Sequence, residues 1–368
     1  MVHEIIRGKN HDDFVLCSPR APQECLDFRG LYFKATMNGN MVAYEFTIQK
    51  DAYLSAHENF VANFSTTVIN TTMSICPQNQ VLTEFEMGHV LSTGGPHYRR
   101  QFRTEPLDLD TFKIARAALG SVVPDSQPLE NDELLSECVW AYSFTRIPGQ
   151  MWLRGVAGKG ADGRIAINKS LGHVFSKGYL ADSSGAAVDG KVRPHIEAIL
   201  ESPLDEIVPY QYHLEGFLDK LEQLKKLPLW VAHYDLNELN VLIDDDCHVT
   251  GLVDWELSAP LPFGVGFGRI HSIVGEYTGG EFWMPDEFEI AERGFWNELF
   301  SGLPADTRSM LDRHIDLVQD AVILGTLLDC FFLENGKVGF NQVTVKALPK
   351  FLTYRMPFVR GTEAPYRD

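Results

Sequence analysis

The spacing of apolar and polar positions changes partway along this chain. Up to about residue 148 the informative runs are short and rich in aromatic and β-branched residues: Met41–Ile48, the region Val81 to Arg103, and Cys138–Phe144. Such runs suit a half-buried pleated strand. Ser92-Thr93-Gly94-Gly95-Pro96 interrupts the second of them, and its two glycines and proline predict the turn of a hairpin. Phe112, Ile114, Ala115, Ala118 and Leu119 recur at helical spacing behind Asp108 and Asp110. Those carboxylates favour the positive end of a helix, which Gly120 can terminate. Ile147-Pro148-Gly149 then stops the last strand.

Beyond that stop the period becomes helical. Ile165 to Leu180, Val192 to Leu200 and Tyr212 to Leu227 read as helices, the third with Leu214, Phe217, Leu218, Leu221 and Leu224 along one face. Further helices are expected over Phe288–Phe300, Thr307–Leu328 and Val343–Leu352, whose large apolar side chains belong in a core. The shift predicts an α+β chain of two lobes, a strand-rich N-lobe and a mainly helical C-lobe around a central cleft. Residues 76–148 would form the N-lobe and 149–368 the C-lobe. Residues 1–75 would pack on the N-lobe or be part of it.

Composition narrows the classes of partner. The chain has 368 residues, 45% of them hydrophobic, ample for a buried core. Its formal charge of -18, from 32 basic and 50 acidic residues, opposes both a nucleic-acid backbone and an anionic membrane surface, so neither is an expected partner. Cys17, Cys25, Cys76, Cys138, Cys247 and Cys330 show no zinc or redox spacing and read as free thiols. Met1–Arg7 lacks the apolar core of a signal peptide, and no uncharged apolar run reaches the ~18 residues of a membrane span, which predicts a cytoplasmic protein. The sequons at Asn63, Asn70 and Asn168 mean nothing without secretion.

Candidate chemistry is concentrated in His233-Tyr234-Asp235-Leu236-Asn237-Glu238-Leu239-Asn240, bracketed by the strand-like runs Leu229–Ala232 and Val241–Ile243. Asp244-Asp245-Asp246 turns the chain, and the return strand Val249–Val253 delivers Asp254-Trp255-Glu256. An antiparallel hairpin brings its two extremities together, so Asp235, Asn240 and Asp254 can converge. An aspartate, an asparagine five positions on and a downstream aspartate suit phosphoryl transfer, which needs an oriented hydroxyl and metal charge on the phosphate oxygens. Asp235 would accept the hydroxyl proton, Asn240 and Asp254 would hold magnesium through hard oxygen atoms, and His233 would brace the loop. The bland alternative is a polar turn between two strands, with Asp254 capping the next segment.

These residues, with Gly251-Leu252-Val253-Asp254-Trp255-Glu256, resemble the aminoglycoside phosphotransferase and choline kinase-like superfamily. The nearest resemblance is to fungal members, through Gln101-Phe102-Arg103, Leu107-Asp108-Leu109 and Leu261-Pro262-Phe263-Gly264. It covers roughly Cys76 to the end. It implies a protein-kinase-like fold and an ATP- and magnesium-dependent transfer to a hydroxyl of a small organic substrate, such as a secondary metabolite or an antibiotic-like compound. By the same resemblance Phe144, Thr145 and Ile147 lie in the hinge under the adenine, with Asp235 as base and Asn240 and Asp254 as magnesium ligands.

The phosphate-binding lysine and glycine-rich loop of kinase-like enzymes are not plain in this sequence. Lys50 stands about twice as far from the hinge as the resemblance suggests and reads as a surface residue. Arg103, with Gln101, takes its place as the cofactor-binding candidate, because a planar guanidinium can bind phosphate oxygens. A solvated strand charge is the alternative. Gly264-Val265-Gly266-Phe267-Gly268 reads as a flexible loop after the metal site. Tyr277, Phe282, Trp283 and Trp296 read as core before pocket wall, and Glu256 and Asp286 as solvated carboxylates before contacts for a cationic substrate. Two other functions stay open: a scaffold repurposed for a non-phosphoryl biosynthetic reaction, and a ligand-binding member without turnover.

Overall fold

The computed structural model of the chain describes residues 6–7, 14–15, 81–86, 90–94, 98–103, 105–136, 139–278, 281–334, 336–353 and 355–356. The chain divides into two compact units, Met1–Thr66 and Thr67–Asp368. In the first, Ile6–Arg7 pairs antiparallel with Phe14–Val15. The strand expected over Met41–Ile48, Lys50, the sequons at Asn63 and Asn70, and Cys17, Cys25, Cys76 and Cys138 lie outside the described residues. The described cysteines, Cys247 and Cys330, are free and buried.

In the second unit β1 (Val81–Glu86), β2 (Val90–Gly94), β3 (Tyr98–Arg103), β4 (Ser126–Leu129) and β5 (Trp140–Thr145) form one antiparallel sheet in the order β1-β2-β3-β5-β4. The region expected to be one hairpin is a three-strand meander. The chain reverses between Glu86 and Val90 as well as after Gly94, and Gly88 supplies a turn signal in the first gap. Helix α1 (Asp110–Leu119) buries Phe112, Ala115 and Leu119, sets Phe112 against Phe144 at 5.4 Å between ring centroids, and ends at Gly120 with φ 78°. Register places Gln101 opposite Tyr142 and Arg103 opposite Trp140. Alternate strand positions share a face, so Gln101 and Arg103 lie on one side of β3 and fully buried Phe102 on the other.

The helical part begins after β6 (Gln150–Met151). It contains α2 (Gly160–Phe175), α3 (Arg193–Glu201), α4 (Gln211–Leu224), α5 (Phe288–Ser301), α6 (Ile315–Cys330) and α7 (Gln342–Phe351). Two expected helices have different limits. The first stops at Phe175, because the chain turns through Gly178 and β7 (Tyr179–Ser183) pairs with β8 (Pro228–Trp230). Leu180, counted as helical, lies in that strand. The expected helix Thr307–Leu328 is two helices, Ala305–Arg313 and α6, broken at His314, whose φ of -119° and ψ of 27° leave the helical region. Apolar spacing continues across both stops, so it does not mark them.

An aromatic cluster packs beneath the candidate loop. Phe263 lies 4.9 Å from Trp230 and 5.4 Å from Phe267, which in turn lies 5.7 Å from Trp296. Edge-to-face contacts of this kind suit the ring quadrupoles. Trp296 is therefore core, whereas Trp283 is exposed and Phe282 packs on Phe351 at 4.7 Å. Asn168 is fully buried on α2 and donates from Nδ2 to the Arg164 carbonyl at 3.0 Å, so that sequon offers no accessible amide. Among the described residues no helix is long and apolar enough to cross a membrane.

Candidate active site

The loop from His233 to Asn240 leaves β8 and enters β9 (Val241–Ile243), and its shape is set by its own asparagines. The Asn237 carbonyl Oδ1 accepts from the main-chain N–H groups of Leu239 at 2.9 Å and Asn240 at 3.2 Å. Its Nδ2 donates to the Asp235 carbonyl at 3.1 Å. Such local bonds replace the regular ladder and close a tight turn. Leu236 anchors the turn in the core. Asn240, itself buried, donates from Nδ2 to both the main-chain carbonyl of Asp235 at 2.8 Å and its Oδ2 at 3.1 Å.

The hairpin of β9 with β10 (Val249–Leu252) is antiparallel, Val241 opposite Leu252. It carries the chain back to the start of the loop. The Val253 N–H donates to the Asn240 carbonyl at 2.9 Å, and His233 donates from Nε2 to the Val253 carbonyl at 2.8 Å. Val253 is thus held on both sides, and Asp254 follows at once, exposed and at φ 65°. A left-handed non-glycine residue is uncommon, and here it turns the chain sharply out of the strand. Trp255 then buries its ring 4.6 Å from that of His233. Burial pushes the His233 pKa down to about 4 against the weaker opposing effects of the Val253 bond and Asp235, so the imidazole is a neutral brace.

Asp235 has a second partner that the sequence did not announce. Arg269 donates from Nη1 to Asp235 Oδ1 at 2.9 Å and from Nε to Asp329 Oδ1. Burial opposes the charge on Arg269, but the carboxylates of Asp329 and then Asp235 outweigh it and raise its pKa. Burial raises the Asp329 pKa against the pull of Arg269. Arg269 follows the glycine-rich segment that was expected to be flexible. That expectation is corrected: Phe263, Val265 and Phe267 are buried, and a Cβ on Gly268 would meet the Gly325 carbonyl carbon at 2.1 Å. Thr326 on α6 also donates its hydroxyl to the Gly268 carbonyl at 3.0 Å. The one available signal was compositional: after Asp320 the helix runs through eight uncharged residues, Ala321–Leu328, to Asp329, and a carboxylate in so apolar a stretch needs a partner.

On the strand side, Arg103 grips Glu256 with both Nη groups, Nη2 to Oε2 at 2.7 Å. Glu256 is therefore an ion-pair partner rather than the solvated carboxylate expected. Of the hinge candidates, Phe144 packs on α1, and the Thr145 main-chain N–H donates to the Asp125 carbonyl at 2.9 Å while its hydroxyl oxygen accepts from Asp125 N–H at 2.8 Å. Ile147 packs on Gly251 of β10 so closely that a Cβ there would meet its Cγ2 at 2.6 Å. Strand β3 carries Gln101 beside Arg103. Hydrogen bonds thus join His233, Asn240 and Asp235 around Val253; Asp254 follows Val253 in the chain, and Glu256, paired with Arg103 of β3, stands two residues further on. Among the described residues no hydrogen bond or ion pair joins Gln101, Phe144 or Thr145 to either group.

Among the described residues no cluster of three or more His, Cys, Asp or Glu side chains has the form of a protein-only metal cage. Magnesium does not require one, since it retains waters and shares substrate phosphates. The chemistry of the donors fits such a site. With the Asn240 amide nitrogen committed to Asp235, its Oδ1 is the atom left for a cation, and Asp254 adds an exposed carboxylate.

The sheet followed by helices matches solved phosphotransferases. The GDP complex of aminoglycoside 2'-phosphotransferase-IIIa superposes with a TM-score of 0.50 at 13% identity, over 73% of this chain and 90% of that one. Macrolide 2'-phosphotransferase type I gives 0.43 at 12% identity, over 72% and 90%. A thermostable mutant of aminoglycoside phosphotransferase APH(4)-Ia, in a ternary complex with AMP-PNP and hygromycin B, gives 0.46 at 13% identity, over 72% and 88%. Comparison with curated proteins finds no match. The fold is that of a kinase-like phosphotransferase, and residues 109–282, which contain the loop, the hairpin and Asp254, match the phosphotransferase enzyme family, APH.

Proposed function

We propose that the chain transfers the γ-phosphoryl group of a nucleoside triphosphate, with ATP as the expected donor, to a hydroxyl of a small organic molecule. The acceptor oxygen bonds to the γ-phosphorus as the bond from that phosphorus to the bridging oxygen breaks, and a nucleoside diphosphate leaves. Asp235 takes the hydroxyl proton. Arg269 and Asn240 each occupy one of its oxygens, and each carboxylate oxygen keeps a second lone pair for the incoming hydroxyl. Magnesium, held by Asn240 and Asp254, would supply the positive charge that the phosphate oxygens require. Arg103 would meet the phosphates, and the hinge at Phe144, Thr145 and Ile147 would lie under the base.

The observation that supports this reading is the pair of hydrogen bonds from Asn240 to Asp235, together with the Val253 N–H bond to the Asn240 carbonyl one residue before Asp254. A GDP complex of the same fold supports a nucleotide as the other ligand. The resemblance to fungal members favours a secondary-metabolite or antibiotic-like acceptor, and the formal charge of -18 disfavours nucleic acid and an anionic membrane as partners. The test is acceptor-dependent release of ADP from ATP in the presence of magnesium across a panel of hydroxylated compounds. An acceptor-dependent rate that is lost in Asp235→Asn supports the reading, whereas equal rates in both proteins reject it.

A further inference from the structure

Arg103 and Glu256 stand 153 positions apart, one on the sheet and one two residues beyond Asp254. The Arg103 side chain is 15% exposed and that of Glu256 29%. The planar fork on the planar carboxylate fixes orientation as well as distance. A guanidinium has five N–H donors, and this pairing uses one from each Nη. The Nε–H is buried, and no described residue accepts from it. Buried donors are almost always paired, so a cation gripped at two corners whose buried Nε–H has no acceptor among the described residues keeps donor capacity for an acceptor from outside the protein.

Kinase-like sites ordinarily brace the strand cation with a carboxylate from the helix that follows. Here α1 has a single acid, Asp110, which is exposed and accepts from Lys113 at 3.0 Å. The bracing carboxylate comes instead from the metal loop. We propose that Glu256 is a positioning residue that aims Arg103 at the phosphates of a bound nucleoside triphosphate, so that the loop carrying Asp254 also orders the phosphate-binding cation. This rests on the phosphotransferase reading above. Because Glu256 leaves three N–H donors of Arg103 free of it, the ion pair and a phosphate contact coexist. Removing the carboxylate therefore weakens nucleotide binding and does not relieve a competition.

The test is calorimetric titration of the full chain with ADP and ATP, with and without magnesium, in wild type, Glu256→Gln, Arg103→Met and the double variant. Glu256→Gln is expected to weaken binding on the order of tenfold whether or not magnesium is present, the loss of one charge-assisted bidentate contact. It should add nothing in the Arg103→Met background, because the residue acts through Arg103. Unchanged or tighter binding overturns the proposal. So does a loss seen only with magnesium, which marks a direct metal contact, or an equal loss in both backgrounds. If Glu256→Gln does not fold, Glu256→Asp keeps the charge but withdraws it by one methylene, and the same weakening or its absence decides. No nucleotide binding by wild type overturns the phosphotransferase reading itself, whereas binding that is indifferent to Glu256 overturns this inference alone.

Discussion

The loop bearing Asp235 and the strand bearing Arg103 are held in opposite ways. Asn237 and Asn240 shape the loop from within five positions, through bonds to the main chain and carboxylate of Asp235. Arg103 owes its orientation to Glu256, 153 positions away. Local bonds make a loop whose geometry is largely its own. A charge oriented by a distant partner depends on the whole unit being folded around it.

The sharpest way to break the comparison is Asp235→Asn. Asn240 still donates to the main-chain carbonyl at that position, so the loop should keep its shape while turnover falls by roughly 10²- to 10⁴-fold. An unchanged melting temperature beside the lost rate is the expected pair of results. Arg269→Met attacks the long-range support of the same residue and leaves Asp329 buried without its cation. A loss of about 3–5 kcal/mol in denaturant unfolding is expected.

The neutral brace gives a pH signature. The folded pKa of His233, about 4, lies below the ordinary 6.5, so its contribution is complete above pH 6.5 and is lost as the pH falls toward 4. That loss is about 3 kcal/mol, read as the difference in acid destabilisation between wild type and His233→Asn. Gly268→Ala should cost about 1–3 kcal/mol by forcing the loop off α6. Lys113→Ala, which removes an exposed pair on α1, should change stability by less than about 0.5 kcal/mol.

The same contrast explains what was legible in the chain. The strands around the loop and the hairpin that returns Asp254 follow from short apolar runs and an acidic turn, and they appear at the expected positions. Helices α1, α4 and α5 followed from spacing within a few residues. The break at His314 and the stop at Phe175 did not, because apolar side chains continue through both and only backbone angles or a new strand partner end the helix. Arg269 lay hidden in a glycine-rich stretch whose rigidity comes from contact with Gly325 and Thr326, more than fifty positions on. Glu256 was visible as an acid, but its partner was not, since no periodicity joins two charges across the unit. Pattern reveals which residue types are available, and tertiary contact decides what they face.

The most direct measurement is the melting temperature of wild type and Asp254→Ala with ATP, magnesium, or both. Convergence of Asp235, Asn240 and Asp254 on a metal-bound nucleotide predicts that the two ligands together stabilise wild type by more than the sum of each alone, about 2.7 kcal/mol at a hundredfold excess over the dissociation constant. Asp254→Ala should lose the magnesium-dependent part. No joint stabilisation of wild type, or an equal one in the variant, contradicts it.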